Sequence, residues 1–224
     1  MTNPTQHYIN GRLSLRAPQA ESLDKLVQAL TASPEMLDHE RDVDAILATL
    51  KAEFSTLEDF EREFPSLCFA LATGVGKTRL MGAFIAYLHL KHGIHNFFVL
   101  APNLTIYNKL ISDFTPNTSK YVLKGISEFA ITPPLIITGD NYEQKNNTGD
   151  LFGGIRINIF NISKINSEVR GGKELRIKRM HEVLGDSYFN HLASLDDLVL
   201  LMDESHRYRA LAGMRAINEL KPLF

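Results

Sequence analysis

Two short stretches of this sequence carry side chains whose types and spacing suit chemistry on phosphates. The first is Thr73-Gly74-Val75-Gly76-Lys77-Thr78, set between the apolar run of residues 68–72 and a helical pattern that reaches about His92. Gly74 and Gly76 admit backbone conformations closed to other residues, so the loop from Thr73 through Val75 to Lys77 can turn consecutive N–H groups into one concavity that fits a phosphate. A helix starting near Lys77 adds the positive end of its dipole. The Lys77 ammonium can then reach β- and γ-phosphates, and the Thr78 hydroxyl can ligate Mg²⁺. The general pattern G-x-x-x-x-G-K-[ST] asks for glycine at position 71, where this chain has Leu71.

The second stretch is Asp203-Glu204, directly after the apolar run "LVLLM". Side chains at the carboxyl end of a strand in an open parallel sheet project into the crevice where ligands bind. In a nucleoside-triphosphate site Asp203 would share Mg²⁺ with Thr78, and Glu204 would orient and polarise the water that attacks the γ-phosphate. The competing reading is an acidic helix start; the phosphate loop upstream favours the metal role. His206 has no partner at zinc-ligand spacing.

These residues need a scaffold, and the surrounding pattern describes one. Leu80, Met81, Phe84, Ile85 and Leu88 form an apolar stripe that would dock the helix after the loop on a sheet. Short apolar runs, "CFALA", "FFVLA", "LIITG", "IRINIF" and "LVLLM", alternate with helical patterns, which indicates a parallel sheet covered on both faces. Before it, Leu23, Leu26, Val27 and Leu30, then Val43, Ile46, Leu47 and Leu50, recur at helical spacing. The Gly/Asn/Asp-rich "GDNYEQKNNTGDLFGG" reads as a surface loop.

The 224 residues, 44% of them hydrophobic, support a sizeable core in one large or two small domains. A formal net charge of −2 means that any nucleic-acid contact must rest on a local basic face. One candidate is "RGGKELRIKRM", for which a solvated helix face is the competing reading. The single cysteine, Cys68, excludes an internal disulfide, and its place in an apolar run predicts a buried, inert thiol in a reducing compartment. No basic-then-apolar leader and no apolar run near the roughly 18 residues of a membrane span is present, so a cytoplasmic location is expected.

"ATGVGKT" together with Asp203-Glu204-Ser205-His206 resembles the superfamily 2 helicases and translocases, whose motif II is the DEAD/DEAH box. The form with an aliphatic residue at position 71 is similar to the restriction (Res) subunits of type III restriction enzymes. The resemblance runs from about Gln19 to the end of the chain. It implies an α/β P-loop NTPase of RecA-like, three-layer α/β/α design with a mostly parallel sheet, using ATP and Mg²⁺, with His206 coupling the site to neighbouring motifs. "VLAPNLTIYNKL" sits where the family has motif Ia, and "IFNISKIN" where a segment before motif II approaches nucleic acid. On that resemblance Pro102, Asn103 and Thr105, with Ser163 and Lys164, would meet the phosphate backbone of one strand. Asn103 would equally serve as a helix cap. "LSLRAPQAESL" resembles the segment that presents a glutamine to adenine, here Gln19, with a plain surface residue as the alternative.

The expected organisation is therefore an N-terminal helical segment, residues 1–66, carrying the adenine-contacting glutamine, and a first RecA-like ATP-binding lobe, residues 67–224. The expected function is the ATP-binding lobe of an ATP-dependent translocase on duplex DNA, most similar to a type III restriction subunit. Its partners would be a second RecA-like lobe and a modification methyltransferase subunit. The rivals are a stand-alone DNA or RNA helicase without a nuclease, and an ATP-binding switch that never translocates. No nuclease signature of paired carboxylates and lysine is evident. In the family a strand carrying motif III follows motif II. Here the sequence reaches Phe224 first, so an incomplete first lobe is expected, with an empty slot between the phosphate-loop strand and the motif II strand.

Overall fold

A computed structural model describes residues 3–142, 154–161, 186–205 and 217–224. Three N-terminal helices, α1 (Pro4–Leu13), α2 (Ala17–Ala32) and α3 (Val43–Glu53), precede the phosphate loop. Helix α4 (Lys77–His92) leads to β1 (Asn96–Ala101), α5 (Leu104–Phe114), the short α6 (Ser127–Ile131), β2 (Leu135–Thr138) and β3 (Arg156–Asn161). Helix α7 (Asp186–Ala193) and β4 (Leu198–Met202) follow.

The four strands form one sheet in the order β2-β3-β1-β4, and every neighbouring pair is parallel. Alternate residues of the strands serve different layers. Phe97, Val99, Ile157, Ile159 and Val199 join α1, α2 and α4 in one hydrophobic cluster. Phe98, Leu100, Phe160, Leu198 and Leu200 join Tyr188, Phe189 and Leu192 of α7 in the other. The period of two along each strand thus builds an α/β/α sandwich. Inside it, Asn158 of β3 is satisfied on both sides: its amide donates to the Phe97 carbonyl at 3.0 Å and its oxygen accepts from the Tyr188 hydroxyl.

Helix α4 is apolar almost all round and buried continuously from Leu80 to Leu88. It can be, because α1 and α2 cover the side that the sheet does not. Helix α1 was not evident in the sequence, since its polar residues and Gly11 mask the two buried positions, Ile9 and Leu13. Its start is legible in retrospect: Asn3 caps it, accepting from the Thr5 and Gln6 N–H groups, and Pro4 opens the first turn. The Asn3 amide also donates to the Tyr87 hydroxyl of α4 at 2.9 Å.

Two expectations need correction. Residues 68–72 form no ladder with any described strand and belong to no helix or strand. Cys68 is accordingly exposed, with Sγ 3.7 Å from Ser205 Oγ, where a buried thiol was expected. The physical reason is the lack of a strand beside them: a cavity of about 620 Å³ separates residues 66–72 from β4 and is floored by Leu80, Met81 and Phe84. The edge of β4 facing it is not bare, however. Leu223 N–H donates to the Leu198 carbonyl at 2.7 Å, and Leu200 N–H donates to the Phe224 carbonyl at 2.9 Å, so two of its backbone groups are satisfied.

Candidate functional site

The carboxyl end of the sheet and the N-terminus of α4 meet in one place. Gly74 and Gly76 hold φ of +80° and +92°, in the left-handed region. This is the conformation the glycines were expected to supply, and it lets Gly76 act as the N-cap of α4, its carbonyl accepting from the Arg79 and Leu80 N–H groups. Nothing lies within 4 Å of the point where a side chain on Gly74 would begin, so the loop is open on that side.

Lys77 and Glu204 come together from opposite ends of the site. Lys77 Nζ donates to Glu204 Oε1 at 3.1 Å, with both side chains less than a third exposed. Glu204 has φ of +55°, uncommon for a residue with a Cβ. Strain of that kind gathers at functional positions. Beside it, Asp203 N–H donates to the Leu100 carbonyl at 3.2 Å, which anchors the turn to the top of β1. Burial and the neighbouring Glu204 push the Asp203 carboxyl above its ordinary value, against the pull of Lys77 and Lys109. A carboxylate held at such a cost is suited to a cation.

Thr78 is buried, and its hydroxyl accepts from Lys109 Nζ at 2.8 Å. Lys109, on α5, also pairs with Asp113 at 3.2 Å. Sequence reasoning missed Lys109. Two signals were there: it has a carboxylate four residues on, and α5 follows the carboxyl end of β1, the edge of the sheet at which ligands bind.

Gln19 is 2% exposed and its amide is fully engaged. Nε2 donates to the carbonyls of Val75 and Gly76 at 3.0 and 2.9 Å, and Oε1 accepts from Arg16 N–H at 2.8 Å. In this arrangement the glutamine braces the phosphate loop, and facing a base would require it to release those carbonyls. It is no surface residue.

Of the residues expected near nucleic acid, Asn103 caps α5, accepting from Ile106 N–H at 2.9 Å, Thr105 is exposed in the first turn and Pro102 is buried. Ser163, Lys164, His206 and the basic stretch 170–180 lie outside the described residues. No helix among the described residues is long and apolar enough to cross a membrane.

The parallel sheet and its α/β layers accord with the comparison to known families. The model of the family described as type III restriction enzyme, res subunit, matches residues 12–224. The chain belongs to this ResIII family. ResIII proteins are P-loop NTPases with ATP-dependent, helicase-like domains, which accords with the α/β sandwich and its parallel sheet. No curated protein and no solved structure matches the chain.

Proposed function

We propose that this ResIII chain is the ATP-binding lobe of an ATP-dependent DNA translocase, the restriction subunit of a type III restriction-modification system. The observation that carries the reading is the 3.1 Å approach of Lys77 to Glu204, which joins the phosphate loop to the carboxylate pair across 127 positions of sequence. The site has the donor set for a magnesium nucleotide. There is an open loop with two left-handed glycines, an ammonium whose contact among the described residues is a displaceable carboxylate, a hydroxyl and an electrostatically costly carboxylate.

In that role Thr73, Gly74, Val75 and Gly76 turn backbone N–H groups toward phosphate, and Lys77 leaves Glu204 to bind it. Thr78 and Asp203 hold Mg²⁺, which when bound neutralises phosphate charge. Glu204, once released from Lys77, orients and polarises the attacking water. Gln19 shapes the loop on the adenine side. His206 couples the site to the next motif, and Pro102, Asn103, Thr105, Ser163 and Lys164 follow the phosphate backbone of duplex DNA. A second RecA-like lobe supplies the transition-state arginine, and a methyltransferase subunit supplies the modification arm, in the cytoplasm.

Calorimetric titration with Mg-ATP tests the site, and Lys77→Ala is its control: the parent binds and the variant does not. ATP hydrolysis by the whole enzyme, with and without duplex DNA, tests translocation. Hydrolysis indifferent to DNA would leave an ATP-dependent switch in its place.

A further inference from the structure

Lys109 belongs to a helix that follows β1, yet its ammonium lies against the phosphate loop. Nζ donates to Thr78 Oγ1 at 2.8 Å and pairs at 3.2 Å with Asp113 Oδ2, and its charge pulls the Asp203 carboxyl downward. Thr78 and Asp113 are both buried, while the Lys109 side chain is 60% exposed. A flexible, solvated arm therefore delivers one positive charge to two fixed oxygens. One of those oxygens is the hydroxyl that a metal ion at this site would use, and the carboxylate that would share the metal lies within the field of the same ammonium.

A lysine ammonium and a divalent cation cannot both use the same Thr78 lone pair, and their charges repel at that range. Asp113 offers the displaced ammonium a place to go without any backbone movement, because the pair already exists at helical spacing. We propose that Lys109 is an internal cation, a positioning residue that occupies the metal position at Thr78 in the nucleotide-free chain and moves fully onto Asp113 when Mg²⁺-nucleotide binds. The inference rests on the nucleotide reading of the site and adds the residue that competes with the metal. The bland alternative is a surface ion pair on α5 that reaches Thr78 incidentally.

The test compares ATP binding to the 224-residue chain by calorimetry in Mg²⁺ and in EDTA, for the parent, Lys109→Met and Asp113→Asn. Methionine keeps helix propensity and stem volume while removing the charge. With Lys109→Met, Mg-ATP should tighten because the metal no longer displaces an ammonium. ATP in EDTA should weaken because the stand-in cation is gone. The ratio of the two dissociation constants should widen at least about tenfold, the scale of one charge-assisted hydrogen bond. Asp113→Asn should act in the opposite sense on Mg-ATP, weakening it while leaving ATP in EDTA unchanged, since the displaced ammonium loses its counter-charge. An unchanged ratio in Lys109→Met, or equal shifts in both buffers for either variant, would reduce Lys109 to an incidental ion pair and overturn the proposal. Absence of ATP binding by the parent in both buffers would instead sink the nucleotide reading, and this inference with it.

Discussion

Lys77 Nζ lies 3.1 Å from Glu204 Oε1, so two groups that the sequence assigns to the same phosphate are within hydrogen-bond reach of each other. Each neutralises the other in a partly buried site. The contact also sets a competition, because the ammonium cannot serve the carboxylate and a phosphate equally. Glu204→Gln keeps the side-chain shape and removes the charge. Mg-ATP affinity should rise by about 1.4- to fivefold, as expected for losing a partly exposed ion pair worth roughly 0.2–1 kcal/mol. Turnover of the complete enzyme should fall, because an amide does not polarise water as a carboxylate does. Calorimetry and a steady-state ATPase assay measure the two effects; normal hydrolysis by the variant would move the catalytic role to another carboxylate.

Lys77→Ala addresses the other half of the pair. Charge-assisted hydrogen bonds from the ammonium to phosphate are worth roughly 1.5–3 kcal/mol each, so losing two of them should carry ATP binding out of the calorimetric range. The free chain should lose little stability, because the Glu204 side chain, 28% exposed, can turn to water. Unchanged Mg-ATP binding would refute the phosphate-loop reading.

Gln19 and Gly76 are matched to one another. A Cβ on residue 76 would lie 2.6 Å from Gln19 Nε2, and φ there is +92°. Gly76→Ala should therefore cost stability twice, through the conformation at about 1–2 kcal/mol and through displacement of the brace. Gln19→Ala removes the donor to the Val75 and Gly76 carbonyls and the acceptor of Arg16 N–H; these groups belong to exposed or half-exposed residues that water can reach, so the cost should be that of lost hydrogen bonds, about 0.5–1.5 kcal/mol each. Denaturant unfolding of the free chain should show both losses, and ATP and GTP should weaken together in Gln19→Ala. If the two affinities converge while stability holds, Gln19 reads adenine and does not brace the loop.

How legible all this was depends on how far apart in sequence the cooperating residues lie. The phosphate loop could be read because its glycines, lysine and threonine are contiguous, and the helix after it starts at Lys77 as the spacing predicted. Strands β1 and β4 were visible as apolar runs because parallel strands are buried on both faces. Residues 68–72 have the same composition, yet they stand apart from the sheet. Composition reports that a segment would tolerate burial on both sides, whereas a ladder needs a neighbour at the right distance, and β4 is separated from them by the cleft. Lys109 and the brace from Gln19 were hidden for a related reason. A long polar side chain on a helix looks the same in sequence whether it reaches solvent or a hydroxyl 31 residues away.

Three histidines give the chain a directional pH dependence. His89, His92 and His191 all have their pKa lowered by burial. His89 Nδ1 faces the Ile94 carbonyl at 2.9 Å, so the neutral ring carries its proton there and Nε2 is the atom that titrates. In the unfolded chain a histidine takes up a proton near pH 6.5, while the folded environment resists it until lower pH. The unfolded state then binds more protons, and stability is complete above about pH 6.5 and is lost as pH falls toward the folded values. Melting temperature should drop between pH 7.5 and 5.5. His89→Asn, whose amide can still donate to Ile94, should show a smaller drop; an identical pH dependence in the variant would remove His89 as a cause.

Cys68 offers a direct reading of the cleft. It is exposed, it lines the cavity between residues 66–72 and β4, and it is the chain's single cysteine, so any thiol signal is unambiguous. A thiol paired into the middle of a parallel sheet would be shielded on both faces, and a reagent would reach it only through unfolding. An exposed thiol beside an open cavity is reached in the native state, without unfolding. The native chain at pH 8 should therefore react with an aromatic disulfide reagent to one equivalent at nearly the rate of the denatured chain. Cys68→Ser should leave stability within about 0.5 kcal/mol, as for other surface substitutions away from packed features. The two measurements oppose a sheet in which residues 68–72 are already a paired strand. There, modification would wait for denaturation, and the serine hydroxyl, buried without a partner, would cost about 1–3 kcal/mol. Slow modification together with a destabilised serine variant would close the cleft and return this segment to the sheet.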